Sequence, residues 1–174
     1  MNEHNTANLK KRFLALLLDF LVIVCYGVVL FGVSMLIYKV ILDGIPDFSE
    51  LQMNVVSLVL IVPAVLYCII MESSGRCATL GKRKLKIKVA SVTSGSIRIW
   101  QIVLRNIIKF LPWQLAHMVI FHGFALKWIL SPFWSALLMI TSVLPVLWIA
   151  FLFRKDHRGL HDLAAKTVVE NHIP

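Results

Sequence analysis

Charge is scarce in this chain. Only 16% of its 174 residues are Asp, Glu, Lys or Arg, where soluble domains carry roughly a quarter. Acids are the scarcer sign, nine against eighteen Lys and Arg. Cysteine is limited to Cys25, Cys68 and Cys77, two of them inside apolar runs. Their spacing suggests neither a disulfide framework nor a metal site, so they read as small packing residues in a reduced environment. No Ser/His/Asp order, zinc-type motif or pair of carboxylates on one helix appears, so nothing points to an enzyme, a metal or a cofactor. Gly75 to Lys82 imitates a phosphate-binding loop only superficially. Five residues separate Gly75 from Gly81, and Arg83 stands where Ser or Thr should follow Lys82, which rejects nucleotide binding. No internal repeat and no low-complexity tract is visible.

What fills the chain instead is apolar. It is 59% hydrophobic, with a mean hydropathy of +0.80. A spanning helix needs about 20 mostly apolar residues, so the length accommodates about four spans and no separate soluble domain. Residues 1–174 read as one domain of an all-α integral membrane protein. Spans are predicted at about 13–38, 51–71, 111–126 and 129–153. Pro63, Pro132 and Pro145 fall in or near them, which membrane helices tolerate when neighbours satisfy the freed carbonyls. Lys10, Lys11 and Arg12 precede the first run with the polarity of a signal peptide. That run is too long for one and lacks an A-x-A-like cleavage site, so it is expected to be a retained span.

The third crossing is the short one, and it contains Gln114 and His117. Before it, Arg98, Gln101, Arg105 and Lys109 recur at spacings of three, four and four, a polar stripe on one helix face. Ile99, Ile102, Val103, Ile107 and Phe110 form the opposite face. This pattern predicts an amphipathic helix in the membrane interface, its cations among headgroups, with a bend at Pro112 and Trp113, or else a crossing that begins earlier with Arg105 and Lys109 snorkelling toward the cytoplasm. Earlier still, Leu85, Ile87 and Val89 alternate with Lys84, Lys86 and Lys88, Ser94-Gly95 signals a turn, and Ile97 and Ile99 alternate after it. A small cytoplasmic hairpin on the membrane surface is expected there.

Orientation follows from counting cations. The N-terminal segment holds three, the stretch Arg76–Lys109 nine and the tail four, leaving only Lys39 and Lys127 for the other side. The loop between spans 1 and 2 holds Asp43, Asp47 and Glu50. Lys and Arg concentrate in cytoplasmic loops, so both termini and the basic segment 72–110 are expected inside a multi-pass cell-membrane protein. The apolar runs exclude nucleic acid as the target of the net charge of +9. The bilayer is the partner, with anionic lipids contributing about 1 kcal/mol per juxtamembrane cation.

Asp19 is the only charged residue of the first span. An ionisable group there costs about 2.5–3.5 kcal/mol on insertion scales, so it marks either a pathway or a structural pair. Arg12 lies two turns away on the same face, about 10.5 Å along the axis, too far for relaxed contact. In the tail, His157 and His161 are four apart, a metal-compatible spacing on a helix. With no third ligand, a solvated interfacial face is the reading. Asp162, among many cations, reads as an ion-pair anchor.

Arg12 at the head of the first span, Asp19 within it, and Asp162 in His161-Asp-Leu-Ala-Ala-Lys-Thr167 together resemble the RDD family of bacterial membrane proteins, named for one arginine and two aspartates. Ala78-Thr-Leu-Gly81-Lys82 and Leu104-Arg105-Asn106 fit its central segment, so the resemblance runs from about Lys10 to Val169. It implies Arg12, Asp19 and Asp162 as the signature, with Gly81, Lys82, Arg105, His161 and Thr167 as supporting positions. Some members are described as sodium/proton antiporters, which implies a monovalent cation as ligand. Two functions stay open. In one, Asp19 exchanges a proton for a cation, with Arg12 and Asp162 gating; lacking repeated halves, such a chain would act as a homo-oligomer. In the other, the three residues form a structural ion network in a non-transporting regulator or assembly partner of a membrane protein.

Overall fold

In a computed structural model, residues 6–93, 95–154 and 156–171 are described. The elements run α1 (Leu9–Val40), α2 (Glu50–Ser73), α3 (Leu80–Lys84), β1 (Ile87–Ser91), α4 (Ile99–Ala125), α5 (Pro132–Leu152), α6 (Leu160–Ala164) and β2 (Thr167–Asn171). α1, α2 and α5 are long and apolar enough to cross a membrane. Their side chains point outward: Val28, Val29 and Phe31 stay about two-thirds exposed, as lipid-facing residues would. Local signals start each helix. The Asn8 side chain accepts from the Lys11 N–H, Ser49 and Gln52 form a reciprocal capping box, and Pro132 takes the first turn of α5, where a missing N–H costs nothing.

Two expectations about the middle of the chain are corrected. α4 is one continuous helix through Pro112, not an interfacial helix followed by a separate crossing at 111–126. The middle of its polar stripe also faces inward: Gln101 and Arg105 are 1% and 3% exposed, while Arg98 is exposed. The apolar face divides, with Ile102 and Phe110 buried and Ile99 and Ile107 60% and 50% exposed. The periodicity was read correctly, but a stripe of this kind turns inward when the protein supplies partners for it, and here the tail does so. Gln101 Nε2 donates to the Ala165 and Lys166 carbonyls at 3.0 and 3.1 Å.

The hairpin does not form either. β1 pairs antiparallel with β2 from the far end of the chain, in the register Ile87 to Asn171 through Ser91 to Thr167. Ile99 instead begins α4, and Ser94 of the expected turn lies outside the described residues. Alternation correctly places Ile87 and Val89 inward, at 1% exposure each, but alternation carries no information about which strand is the partner. Thr6 bridges to Glu170, and the Ala7 N–H donates to the Val169 carbonyl at 2.9 Å, so the two residues before the α1 N-cap join the same small sheet. The fold is therefore mostly helical with a two-stranded sheet, rather than all-α.

The chain also repeats itself, which its sequence does not show. Each half contains two long helices, a five-residue helix and a five-residue strand, in that order. The small units start eighty residues apart, α3 at Leu80 and α6 at Leu160, β1 at Ile87 and β2 at Thr167. Left-handed backbone recurs at the same offset: Cys77 (φ 47°) with His157 (φ 50°), and Lys86 (φ 55°) with Lys166 (φ 52°). The last turns of α3 and α6 close identically, with Leu85 N–H on Gly81 O and Ala165 N–H on His161 O, both at 3.2 Å. The register pairs Val89 with Val169, equivalent residues, at the centre of the sheet, which gives the two units two-fold symmetry. Over these stretches only Leu80/Leu160, Lys86/Lys166 and Val89/Val169 are identical.

A charged network between the two halves

Each short helix must find partners for the backbone N–H groups of its first turn. α3 obtains one from outside its own segment. Thr79, at its N-cap, makes no capping bond; its hydroxyl donates to Asp19 Oδ2 at 2.5 Å. Asp19, arriving from α1, caps the helix in its place by accepting the Gly81 N–H at 2.8 Å. The Tyr67 hydroxyl donates to the same carboxylate at 3.1 Å. This approach requires glycine at 81. A Cβ there would stand 2.3 Å from the Ala15 carbonyl and 3.0 Å from the Asp19 carboxylate.

α6 solves the same problem from within. Asp162, its third residue, accepts the Gly159 N–H at 3.1 Å. The remaining capacity of this fully buried carboxylate goes to cations. Arg12 from α1 donates to Oδ2 and Arg105 from α4 to Oδ1, with the Thr167 hydroxyl on Oδ1 at 3.2 Å. The second amino group of Arg12 donates to the His157 carbonyl.

Glu72, also fully buried, bridges the two centres. Lys82 Nζ donates to its Oε1 at 2.7 Å, Asn106 Nδ2 donates to its Oε2 at 2.9 Å, and Arg105 Nε lies 3.4 Å from Oε2. Lys82 Nζ is in turn 4.0 Å from Asp19. The order Asp19, Lys82, Glu72, Arg105, Asp162, Arg12 is thus one path of alternating charge through α1, α2, α3, α4 and α6. Beside it, burial first, and then Arg105, Lys109, Arg12 and Lys82, hold the His161 imidazole well below its ordinary pKa, so the ring is neutral.

Comparison with known families bears directly on this arrangement. The RDD family profile matches residues 6–166. The chain belongs to the RDD family. RDD proteins are membrane proteins, in accord with the apolar helices. No curated protein and no solved structure matches the chain.

In this RDD chain, Arg12 and Asp162 meet, while Asp19 sits in the neighbouring centre and touches neither. Of the supporting positions, Gly81 and Lys82 belong to the Asp19 centre, and Arg105, His161 and Thr167 to the Asp162 centre. His157 and His161 do not share a helix, because His157 occupies a left-handed turn before α6. Among the described residues no group of His, Cys, Asp and Glu is arranged to hold a metal. Sequence reasoning missed Glu72 and Tyr67, and met Thr79 and Asn106 only as parts of the family's central segment, with no role of their own. Glu72 left a signal: it is the only carboxylate between Glu50 and Asp156, directly before nine cations.

Proposed function

We propose that this RDD protein is a non-transporting component of the cell membrane, a regulator or assembly partner of another membrane protein. In this reading Arg12, Asp19 and Asp162 are structural members of an ion network. The observation that carries it is the pairing of all three buried carboxylates: Asp19, Glu72 and Asp162 each contact at least one buried cation. Removing one partner from a buried pair costs about 3–5 kcal/mol, so such a network fixes one arrangement of helices rather than cycling between two. Neither an enzyme active site nor a cofactor site is part of this reading. Four spans with both termini in the cytoplasm accompany it. The equivalence of α4 with α1 supports the fourth crossing, and the clustering of Lys and Arg supports the orientation.

Exchange of sodium for protons at Asp19 is the rival reading, and one observation favours it. A cavity of about 70 Å³ lies between the two halves beside Asp19, where transporters built from repeats place their substrates. Against it, the Asp19 oxygens already accept three hydrogen bonds. Purified protein in sealed vesicles is expected to show no sodium-dependent proton flux above protein-free vesicles, for wild type and Asp19→Asn alike. Wild-type flux that Asp19→Asn abolishes would overturn the proposal. Crosslinking in native membranes should then yield a stoichiometric membrane-protein partner rather than self-association alone.

A further inference from the structure

The cavity between the halves has the wrong lining for a cation. Arg12, Lys82, Arg105 and Lys109 all border it, together with His161, and Asp19 is the only carboxylate among its walls. Glu72 and Asp162 stand behind the arginines and Lys82, and even including them the centre holds four cations against three acids. The excess charge belongs to Lys109. Among the described residues it makes no ion pair; its Nζ approaches Cys68 Sγ at 3.9 Å and the Phe110 ring at 5.4 Å. Of the lining residues, His161 Nδ1 is buried without a hydrogen-bond partner in the protein, and Arg105 Nε has only its long 3.4 Å contact with Glu72. Lys109 is half-buried; a cation partly withdrawn from water with no acid in contact is costly, and so is a buried polar nitrogen without a hydrogen bond. One negative ion would supply the counter-charge to Lys109.

We propose that this cavity binds a single compact, singly charged anion, held by Lys109 and Arg105 and contributed to from both halves of the chain. The proposal does not depend on whether the protein transports. Its volume of about 70 Å³ is several times the roughly 10–15 Å³ that one water needs. That admits a halide or the phosphate group of a lipid.

The test is thermal unfolding of the detergent-purified full chain at constant ionic strength, with chloride, bromide or phosphate replacing gluconate. A ligand that binds only the folded state raises Tm in a saturable way. A saturable rise in halide, absent in gluconate, is expected for wild type and for Lys109→Arg, and is expected to be lost in Lys109→Gln. If Lys109→Gln does not fold, broadening of the chloride-35 resonance by wild-type protein, reversed by bromide, supports the site without it. In nanodiscs, stabilisation and retention of phosphatidylglycerol over phosphatidylcholine, with no halide effect, would assign the same site to a lipid phosphate. Equal Tm in every anion and in both lipids overturns the proposal. So does a Lys109→Gln protein that responds as wild type does.

Discussion

The two halves of this RDD chain place different charges on one backbone. Lys82 in α3 and Asp162 in α6 are equivalent by position, eighty residues apart, yet one is a cation and the other an anion. Their neighbours are exchanged to match. α3 faces the carboxylate of Asp19, and α6 faces the guanidinium of Arg105. The difference teaches what holds the halves together: two copies with the same charge would repel where they meet, whereas complementary copies attract. The halves are not equally committed, however. Asp162 carries two arginines, one from each half, while Lys82 shares Glu72 with Arg105 and Asn106.

That inequality can be tested by removing each member in turn. Asp162→Asn should have the largest effect, because Arg12 and Arg105 both lose their carboxylate. A loss of about 3–5 kcal/mol in an SDS unfolding titration in mixed micelles is expected; a loss no greater than that of its counterpart would end the asymmetry argument. That counterpart, Lys82→Met, should cost less, about 1–3 kcal/mol in the same titration, since Glu72 keeps two other donors.

Acid sharpens the contrast further, because among the described residues only the second half holds a buried imidazole. His161 is neutral in the fold and ordinary, near 6.5, once unfolded. Below pH 6.5 the unfolded chain therefore binds more protons than the folded one, and stability falls as pH falls, by up to about 1.4 kcal/mol per unit from this group. Stability measured from pH 7 to 5 should drop in wild type and flatten in His161→Gln.

The smallest effect is expected at the opposite end of the bundle. There Glu50 at the start of α2 meets His122 of α4 at 3.1 Å, with the Trp134 ring stacked on the imidazole at 4.0 Å. This pair also joins the two halves, but it is partly exposed, at 37% for the Glu50 side chain. Glu50→Gln should change stability by less than about 1 kcal/mol. A larger loss would mean that the halves are held as firmly far from the network as within it.

Much of this was legible because lipid imposes strict rules. Long apolar runs marked α1, α2 and α5, and the isolated charge of Asp19 marked a residue in need of partners. The stripe on α4 gave the correct residues but not the direction they face, since periodicity does not distinguish a surface of headgroups from a surface of docked protein. The partners of Asp19 were hidden for a related reason. They are a backbone N–H and two hydroxyls, groups that nearly every residue or loop offers. The repeat was hidden because it survives in backbone conformation, at Cys77, His157, Lys86 and Lys166, while the side chains have diverged to opposite charge.

The pairing of β1 with β2 also sets an order of events. Asp162 and β2 leave the ribosome after all four long helices, and the earlier-made Thr6, Ala7 and Arg12 wait for them. Until then Arg12 and Arg105 have no Asp162, and β1 has no partner for its edge. The contacts that join α1 and β1 to α6 and β2 consequently cannot form until residues 160–171 have been made, whatever has folded by then.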